Sequence, residues 1–218
     1  MKKYLEFRNE IDLIAKKYGR NPSEITLIAV TKERPWQQAA PLYESGCRDF
    51  AENRLQEALL KISEAPPDIH WHLIGTLQSN KVAKALPLFT LIHSVDSIEL
   101  VKKISFESVK QARVTRILLQ ANTSKELTKH GLTAEEWKRD FDQIHELPGI
   151  SIEGLMTIAP FTQEEKVIRS CFANLRDLRD DLERTGAHLP HLSMGMSNDY
   201  PYAIAEGATL LRIGTALF

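Results

Sequence analysis

Tyr4, Phe7, Ile11, Ile14 and Tyr18 recur at steps of three and four residues, the period of one apolar face on a helix. Gly19, followed by Pro22, closes that pattern. The chain then changes rhythm. Short apolar, β-branched runs follow one another, each trailed by a polar motif and a helical stretch. Strands are expected at about Ile25–Val30, Cys47–Phe50, Trp71–Ile74, Leu91–Ser94, Val114–Ala121, Ile152–Met156, Leu189–Ser193 and Leu210–Ile213. Helices are expected at Arg54–Ile62, Asn80–Leu86, Ser97–Val109, Ala134–Glu146 and Gln163–Arg184, the last with Ile168, Cys171, Leu175, Leu178 and Leu182 on one face.

Strand and helix in strict alternation imply parallel strands joined by crossovers, and eight such repeats can close. The expected fold is therefore α/β: a single-domain (β/α)8 TIM barrel over residues 1–218 with an additional N-terminal helix. A doubly wound open sheet is the main competitor. Against it, Val30 is followed by Thr31-Lys32-Glu33-Arg34-Pro35, with no glycine to admit a pyrophosphate. Phe218 follows the eighth strand closely, so the N-terminal helix is expected to cover the gap where strand eight meets strand one.

Composition narrows the function classes. With 28 basic and 29 acidic residues and a net charge of −1, the chain has no field that would draw nucleic acid or an anionic membrane. No apolar run approaches the roughly 20 residues that cross a bilayer, and the charged start lacks a secretory h-region. Cys47 and Cys171 match no metal or redox spacing. Reduced, buried thiols and a cytoplasmic location follow as expectations.

In such a barrel the loops after the strands converge on one mouth, so polar residues at strand C-termini are the functional candidates. The loops after strands seven and eight are the usual phosphate site. Here they carry Ser193-Met194-Gly195-Met196-Ser197 and Arg212-Ile213-Gly214-Thr215, which offer hydroxyls, amides and glycines that let backbone approach an anion. Each alone reads as a routine turn; together they suggest a phosphate cup. Lys32 follows the apolar Leu27-Ile28-Ala29-Val30 directly, where burial and neighbouring cations would lower its pKa and free the amine for an aldehyde. Alone it reads as a solvated strand-end lysine. A carbonyl trap and an anion site are two anchors for pyridoxal 5′-phosphate (PLP), and Arg212 is suited to a third, at the pyridine nitrogen. An arginine keeps its proton, so the ring nitrogen would stay unprotonated and carbanion chemistry weak.

Seven motifs, in order, also resemble a known family. They are Ala29-Val30-Thr31-Lys32, Phe50-Ala51-Glu52-Asn53-Arg54-Leu55-Gln56-Glu57, Trp71-His72-Leu73-Ile74-Gly75-Thr76-Leu77-Gln78-Ser79-Asn80-Lys81, His93-Ser94-Val95-Asp96, Gly154-Leu155-Met156-Thr157-Ile158-Ala159-Pro160, Leu192-Ser193-Met194-Gly195-Met196-Ser197-Asn198-Asp199 and Arg212-Ile213-Gly214-Thr215. The sequence is similar to the pyridoxal phosphate homeostasis proteins. That resemblance implies a monomeric or weakly associating barrel like the N-terminal domain of alanine racemase, with Lys32 as the Schiff-base lysine. It further implies Arg212 at the pyridine nitrogen, phosphate held by Ser193, Ser197, Gly214 and Thr215, and Asn53 and His72 beside the ring. The implied role is storage and delivery of PLP, with PLP-dependent apoenzymes as recipients. Ala51 departs from the family's usual glycine and forbids an easy positive φ at that turn, which bears on Asn53.

Two other readings compete. A PLP-dependent racemase or lyase needs acid and base groups on opposite faces of the cofactor, Lys32 supplying one. The resemblance implies that the second is a tyrosine from a separate C-terminal β-domain, and the chain ends before one. Tyr200 and Tyr202 are better read as packing at a helix start. A metal-dependent hydrolase is suggested by His70-Trp71-His72, but later strand ends carry Asn122, Thr157 and Arg212 instead of further ligands. Glu52 and Arg54 are expected to form an ion pair bracing the second loop, Met156, Met194 and Met196 to fill the barrel top, and Lys81 to cap a helix or face solvent.

Overall fold

In the computed structural model, which describes residues 2–124 and 130–218, eight parallel strands close into a barrel in chain order. They are β1 (Thr26–Val30), β2 (Asp49–Glu52), β3 (His70–Leu73), β4 (Leu91–Val95), β5 (Thr115–Gln120), β6 (Ile150–Met156), β7 (His191–Ser193) and β8 (Leu210–Ile213). The helices of the described residues are α1 (Lys2–Lys17), α2 (Trp36–Glu44), α3 (Leu55–Glu64), α4 (Val82–Ala85), α5 (Ile98–Lys110), α6 (Ala134–Asp140), α7 (Glu165–Glu183) and α8 (Tyr200–Ala205). The expected barrel and extra N-terminal helix are both present.

Closure pairs β1 with β8 in parallel, Ile28 opposite Arg212 and Ala29 opposite Ile213. The seam is covered by α1, as its apolar stripe requires. Ile11 and Ala15 are wholly buried, the Phe7 and Tyr200 rings lie 4.9 Å apart, and Arg8 donates to the Ile25 and Pro22 carbonyls at 2.5 and 2.7 Å. Tyr18, expected on that stripe, is exposed; Gly19, at φ 68°, ends the helix one residue earlier.

Each strand faces two ways. One set of side chains packs outward against the helices. Inside the barrel, Ile28, Val30, Ala51, Leu91, Leu118, Met156 and Leu210 form a separate apolar cluster. It is interrupted by His72, His93, Ser193 and Arg212, all buried. A barrel interior of this size is filled with side chains, so polar groups there must satisfy one another.

Several elements differ from expectation. β2 lies at Asp49–Glu52 instead of Cys47–Phe50, because both acidic residues find buried partners inside the fold. α6 stops at Asp140 and continues as a 3-10 turn over Phe141–Gln143. α2 has no counterpart among the expected helices; it forms with Pro41 inside it.

Candidate cofactor site

The C-terminal end of β1 delivers Lys32 on a tight turn. Arg34 N–H donates to the Thr31 carbonyl at 3.1 Å, and Glu33, at φ 62°, occupies the left-handed region that disfavours non-glycine residues. Glu57 accepts from the Glu33 amide at 3.0 Å and holds that conformation. Lys32 itself is exposed, so the desolvation expected of it is corrected: the turn lifts the side chain clear of the apolar interior that ends at Val30.

The buried residue of this corner is Thr31. Its hydroxyl donates to Glu52, and the Lys61 ammonium donates both to the Thr31 carbonyl and to Glu52 Oε1, each at 2.5 Å. Glu52 is therefore paired with Lys61 from α3. The expected Glu52–Arg54 pair does not form; Arg54 points outward, 3.5 Å from Glu57.

Across the β1–β8 seam, the two anion-type loops meet. Gly195, at φ 94°, turns where a Cβ would fall 2.6 Å from that of Ala203, so only glycine fits. Its carbonyl accepts from Arg212 N at 3.0 Å. Ser197 Oγ accepts from Ala216 N at 3.5 Å, and Asp199 Oδ1 accepts from Met196 N at 2.6 Å. A Cβ on Gly214 would lie 3.6 Å from that of Val30, two residues before Lys32. Lys32, Ser197, Gly214 and Thr215 are thus brought to one rim.

Arg212 lies beneath that rim, buried inside the barrel. Nη1 donates to Ser193 Oγ at 2.6 Å and Nη2 to the Thr157 carbonyl at 2.9 Å, a hydroxyl and a carbonyl rather than a carboxylate. Burial lowers its pKa to about 10, partly offset by the nearby Asp199 charge, so it remains a cation at neutral pH. A guanidinium has five N–H donors, and these two bonds leave others for an acceptor.

Behind Arg212 runs a buried hydrogen-bonded chain. Ser193 Oγ lies 2.7 Å from His93 Nδ1, His93 Nε2 lies 2.9 Å from His72 Nδ1, and His72 Nε2 lies 3.2 Å from Asp49 Oδ1. Burial alone would raise the Asp49 pKa, but the hydrogen bonds from His72 and His70 outweigh it and hold the carboxyl below its ordinary value. Asp49 is therefore an anion, and His72 must carry its proton on Nε2. Burial lowers the pKa of both histidines, that of His93 strongly, so both are neutral. His72 Nδ1 then accepts from His93 Nε2, and His93 Nδ1 accepts from the Ser193 hydroxyl. Arg212, which can only donate, demands the same order from the other end. Every proton runs from Arg212 toward Asp49.

This order bears on two of the expected ligands. The single hydroxyl hydrogen of Ser193 is committed to His93, leaving none for a phosphate oxygen. Both ring nitrogens of His72 are committed to protein groups. Sequence reasoning passed over His93 and Asp49; the signal was a histidine between Leu91 and Val95, at the parity that faces the barrel interior.

Asn53 follows β2 and is packed by Gly75, where a Cβ would come 2.1 Å from the Asn53 carbonyl oxygen. Ala51 makes no unusual demand: it lies in β2 opposite Val30 and His72, wholly buried and without a positive φ. Between the loops after β2 and β3 is a cavity of about 530 Å³ with a mixed lining, polar at Asn53, Gln78 and Lys81 and apolar at Leu55, Leu73 and Leu77.

Tyr200 turns away from the mouth: its hydroxyl donates to Glu10 of α1 at 2.5 Å. Among the described residues no group of three or more His, Cys, Asp or Glu side chains could hold a metal ion. His70 and His72 instead share one Asp49 oxygen, at 3.2 Å each.

The chain is similar to proteins of one family. The family model described as alanine racemase, N-terminal domain, matches residues 6–218. A pyridoxal phosphate homeostasis protein of Aquifex aeolicus is 41% identical over 202 residues, covering 92% of this chain and 89% of that one. The solved structure of PipY of Synechococcus elongatus with PLP bound is 38% identical, with a TM-score of 0.85 over 95% of this chain and 99% of that one. Alanine racemase of Clostridium difficile shares the fold, with a TM-score of 0.78 at 17% identity over 98% of this chain and 56% of that one.

Proposed function

The chain belongs to the alanine racemase N-terminal domain family and, within it, to the pyridoxal phosphate homeostasis proteins, and from that premise we propose that Lys32, Arg212 and the β7 and β8 loops hold PLP for storage and delivery. The protein binds PLP and serves its intracellular homeostasis. When bound, the cofactor supplies an aldehyde that condenses with a lysine amine with loss of water.

The observation that carries the site is Arg212: a buried guanidinium with donors to spare, bonded to no carboxylate, between a lysine turn and two anion-type loops. Such a donor set fits a phosphorylated pyridine. Ser197, Gly214 and Thr215 hold the phosphate, their loops tied by the Ser197–Ala216 bond. Arg212 offers the pyridine nitrogen an N–H and keeps its own proton, so the ring nitrogen stays unprotonated. Ser193, His93, His72 and Asp49 hold Arg212 in place, and Asn53 flanks the ring. Lys32 Nζ is the point of covalent attachment.

That protonation pattern favours holding the cofactor over carbanion chemistry, and the Tyr200 hydroxyl, bonded to Glu10, is not placed as a second base. In this reading residues 1–218 act as one domain, a cytoplasmic monomer with PLP-dependent apoenzymes as recipients. Among the described residues no helix is long and apolar enough to cross a membrane.

The test is a visible absorption spectrum of the protein with added PLP, followed by borohydride reduction and peptide mapping. One label, on Lys32, is expected. A label elsewhere, or no visible band, would overturn the assignment.

A further inference from the structure

Lys61 lies on α3 in register with Leu55 and Ala58, a spacing that faces the barrel, and it is buried where an apolar residue would ordinarily pack. Its ammonium bridges Glu52 Oε1 and the Thr31 carbonyl at 2.5 Å each. Glu52 is itself wholly buried, and its second oxygen, Oε2, has no hydrogen-bond partner. A buried ion pair with an orphaned oxygen is a poor device for stability, since apolar residues of the same volume would serve as well or better. Its placement serves something else.

What the pair grips is the residue before Lys32. The Thr31 carbonyl accepts from Lys61 Nζ and from Arg34 N, the Thr31 hydroxyl donates to Glu52, and the Thr31 amide donates to the Ala51 carbonyl at 3.1 Å. Both backbone polar groups of Thr31 are therefore fixed. The next two residues are the exposed Lys32 and the left-handed Glu33. A non-glycine residue in that region costs about 1–2 kcal/mol relative to ordinary conformations, so the turn would relax unless its flanks were held.

We propose that Lys61 is a positioning residue for Lys32: held by Glu52, its ammonium clamps the Thr31 carbonyl and so fixes the turn that presents the reactive amine. The inference rests on Lys32 being the attachment point. The clamp acts on the covalent capture of the aldehyde and not on the phosphate cup, which is built from β7 and β8. Misplacing a reacting group by an ångström can cost on the order of a hundredfold in rate, whereas a ligand without the aldehyde has nothing to gain from the clamp.

The test uses the double variant Lys61→Met with Glu52→Gln, which removes both buried charges together while leaving an acceptor for the Thr31 hydroxyl. A matching thermal melt establishes that it folds; should it not, Lys61→Gln, which keeps a donor but loses the charge, takes its place. Three quantities are compared with the parent protein: capture of PLP at Lys32 by borohydride trapping, affinity for 4′-deoxypyridoxine 5′-phosphate, and amide hydrogen exchange at Thr31 and Arg34 without ligand. Capture slowed by about tenfold or more, unchanged affinity for the analogue, and faster exchange at Arg34 support the clamp. Unchanged capture and exchange overturn it, as does an equal loss of analogue affinity, which would mark general collapse of the mouth. If the parent protein is trapped at a residue other than Lys32, both the site assignment and the clamp fail; if it is trapped at Lys32 and the variant behaves identically, only the clamp fails.

Discussion

Arg212 Nη1 lies 2.6 Å from Ser193 Oγ, and this donor fixes the direction of every hydrogen bond behind it down to Asp49. A serine that accepts from arginine and donates to histidine has spent its only proton, although it ends β7, beside the loop expected to hold phosphate.

Ser193→Ala separates these roles. It strands a donor on Arg212 and an acceptor on His93 in the barrel interior, which costs about 1–3 kcal/mol each when left unmade. Urea unfolding should show a loss of about 2–6 kcal/mol for the two groups together, while affinity for 4′-deoxypyridoxine 5′-phosphate stays within about threefold, well under one RT ln 10 step. A loss of analogue affinity beyond tenfold would return Ser193 to the phosphate cup.

The two buried histidines make stability depend on pH. Their folded pKa values lie below the ordinary value of 6.5, as does that of His191, each chiefly through burial. The unfolded chain therefore binds more protons than the native one as pH falls below about 6.5, and stability drops in that direction. Each group contributes a slope of at most about 1.4 kcal/mol per pH unit. Stability measured by urea between pH 7.5 and 5 should hold nearly level above about 6.5 and fall below it, and His93→Leu should flatten the slope by about one group. A flat profile in the parent protein would show that the histidines are not held neutral.

How much of this was legible in the sequence depends on where each partner lies. The strands and α7 announce themselves by local period, and Gly195 and Gly214 by their place after β7 and β8. β2 lies further along the chain than expected because Glu52 reads as a loop residue, and what buries it, Lys61, is on another element. Lys61 carries a local sign, a charge at an apolar position of α3, but its partner appears only on folding. Lys32 was expected in a dry mouth, whereas the strained Glu33 turn puts it in solvent.

Gly75 has a steric duty that the sequence motif around it does not reveal. A Cβ there would meet the Asn53 carbonyl carbon at 2.8 Å as well as its oxygen at 2.1 Å, and backbone on both sides must give. Gly75→Ala is expected to cost about 1–3 kcal/mol, as other overpacking changes do, and to lower the melting temperature by several degrees. A melting temperature equal to the parent's would mean that the two loops are not in contact.

Cys47 is wholly enclosed, and burial pushes its thiol up to about 12. Since the thiolate is the reactive form, the native protein should resist iodoacetamide at pH 8 and react only on unfolding. Cys171 is buried as well, with Thr123 Oγ1 2.9 Å from its sulfur, and should behave alike. Mass spectrometry after a timed native pulse checks both; rapid labelling of either would contradict its enclosure.

Tyr200 separates the holder from a racemase most directly. Its hydroxyl ties α8 to α1 through Glu10, and its ring packs on Phe7 across the seam that closes the barrel. Tyr200→Phe removes one hydrogen bond and keeps the ring, so a stability loss of about 0.5–1.5 kcal/mol is expected, read from the urea midpoint. Borohydride trapping at Lys32 should be unchanged, because the hydroxyl faces α1 and not the mouth. With a panel of L-amino acids and PLP, the parent should invert configuration no faster than free PLP, and the variant should match it. Turnover in the parent that Tyr200→Phe abolishes would identify Tyr200 as the second base and replace the storage reading with a catalytic one.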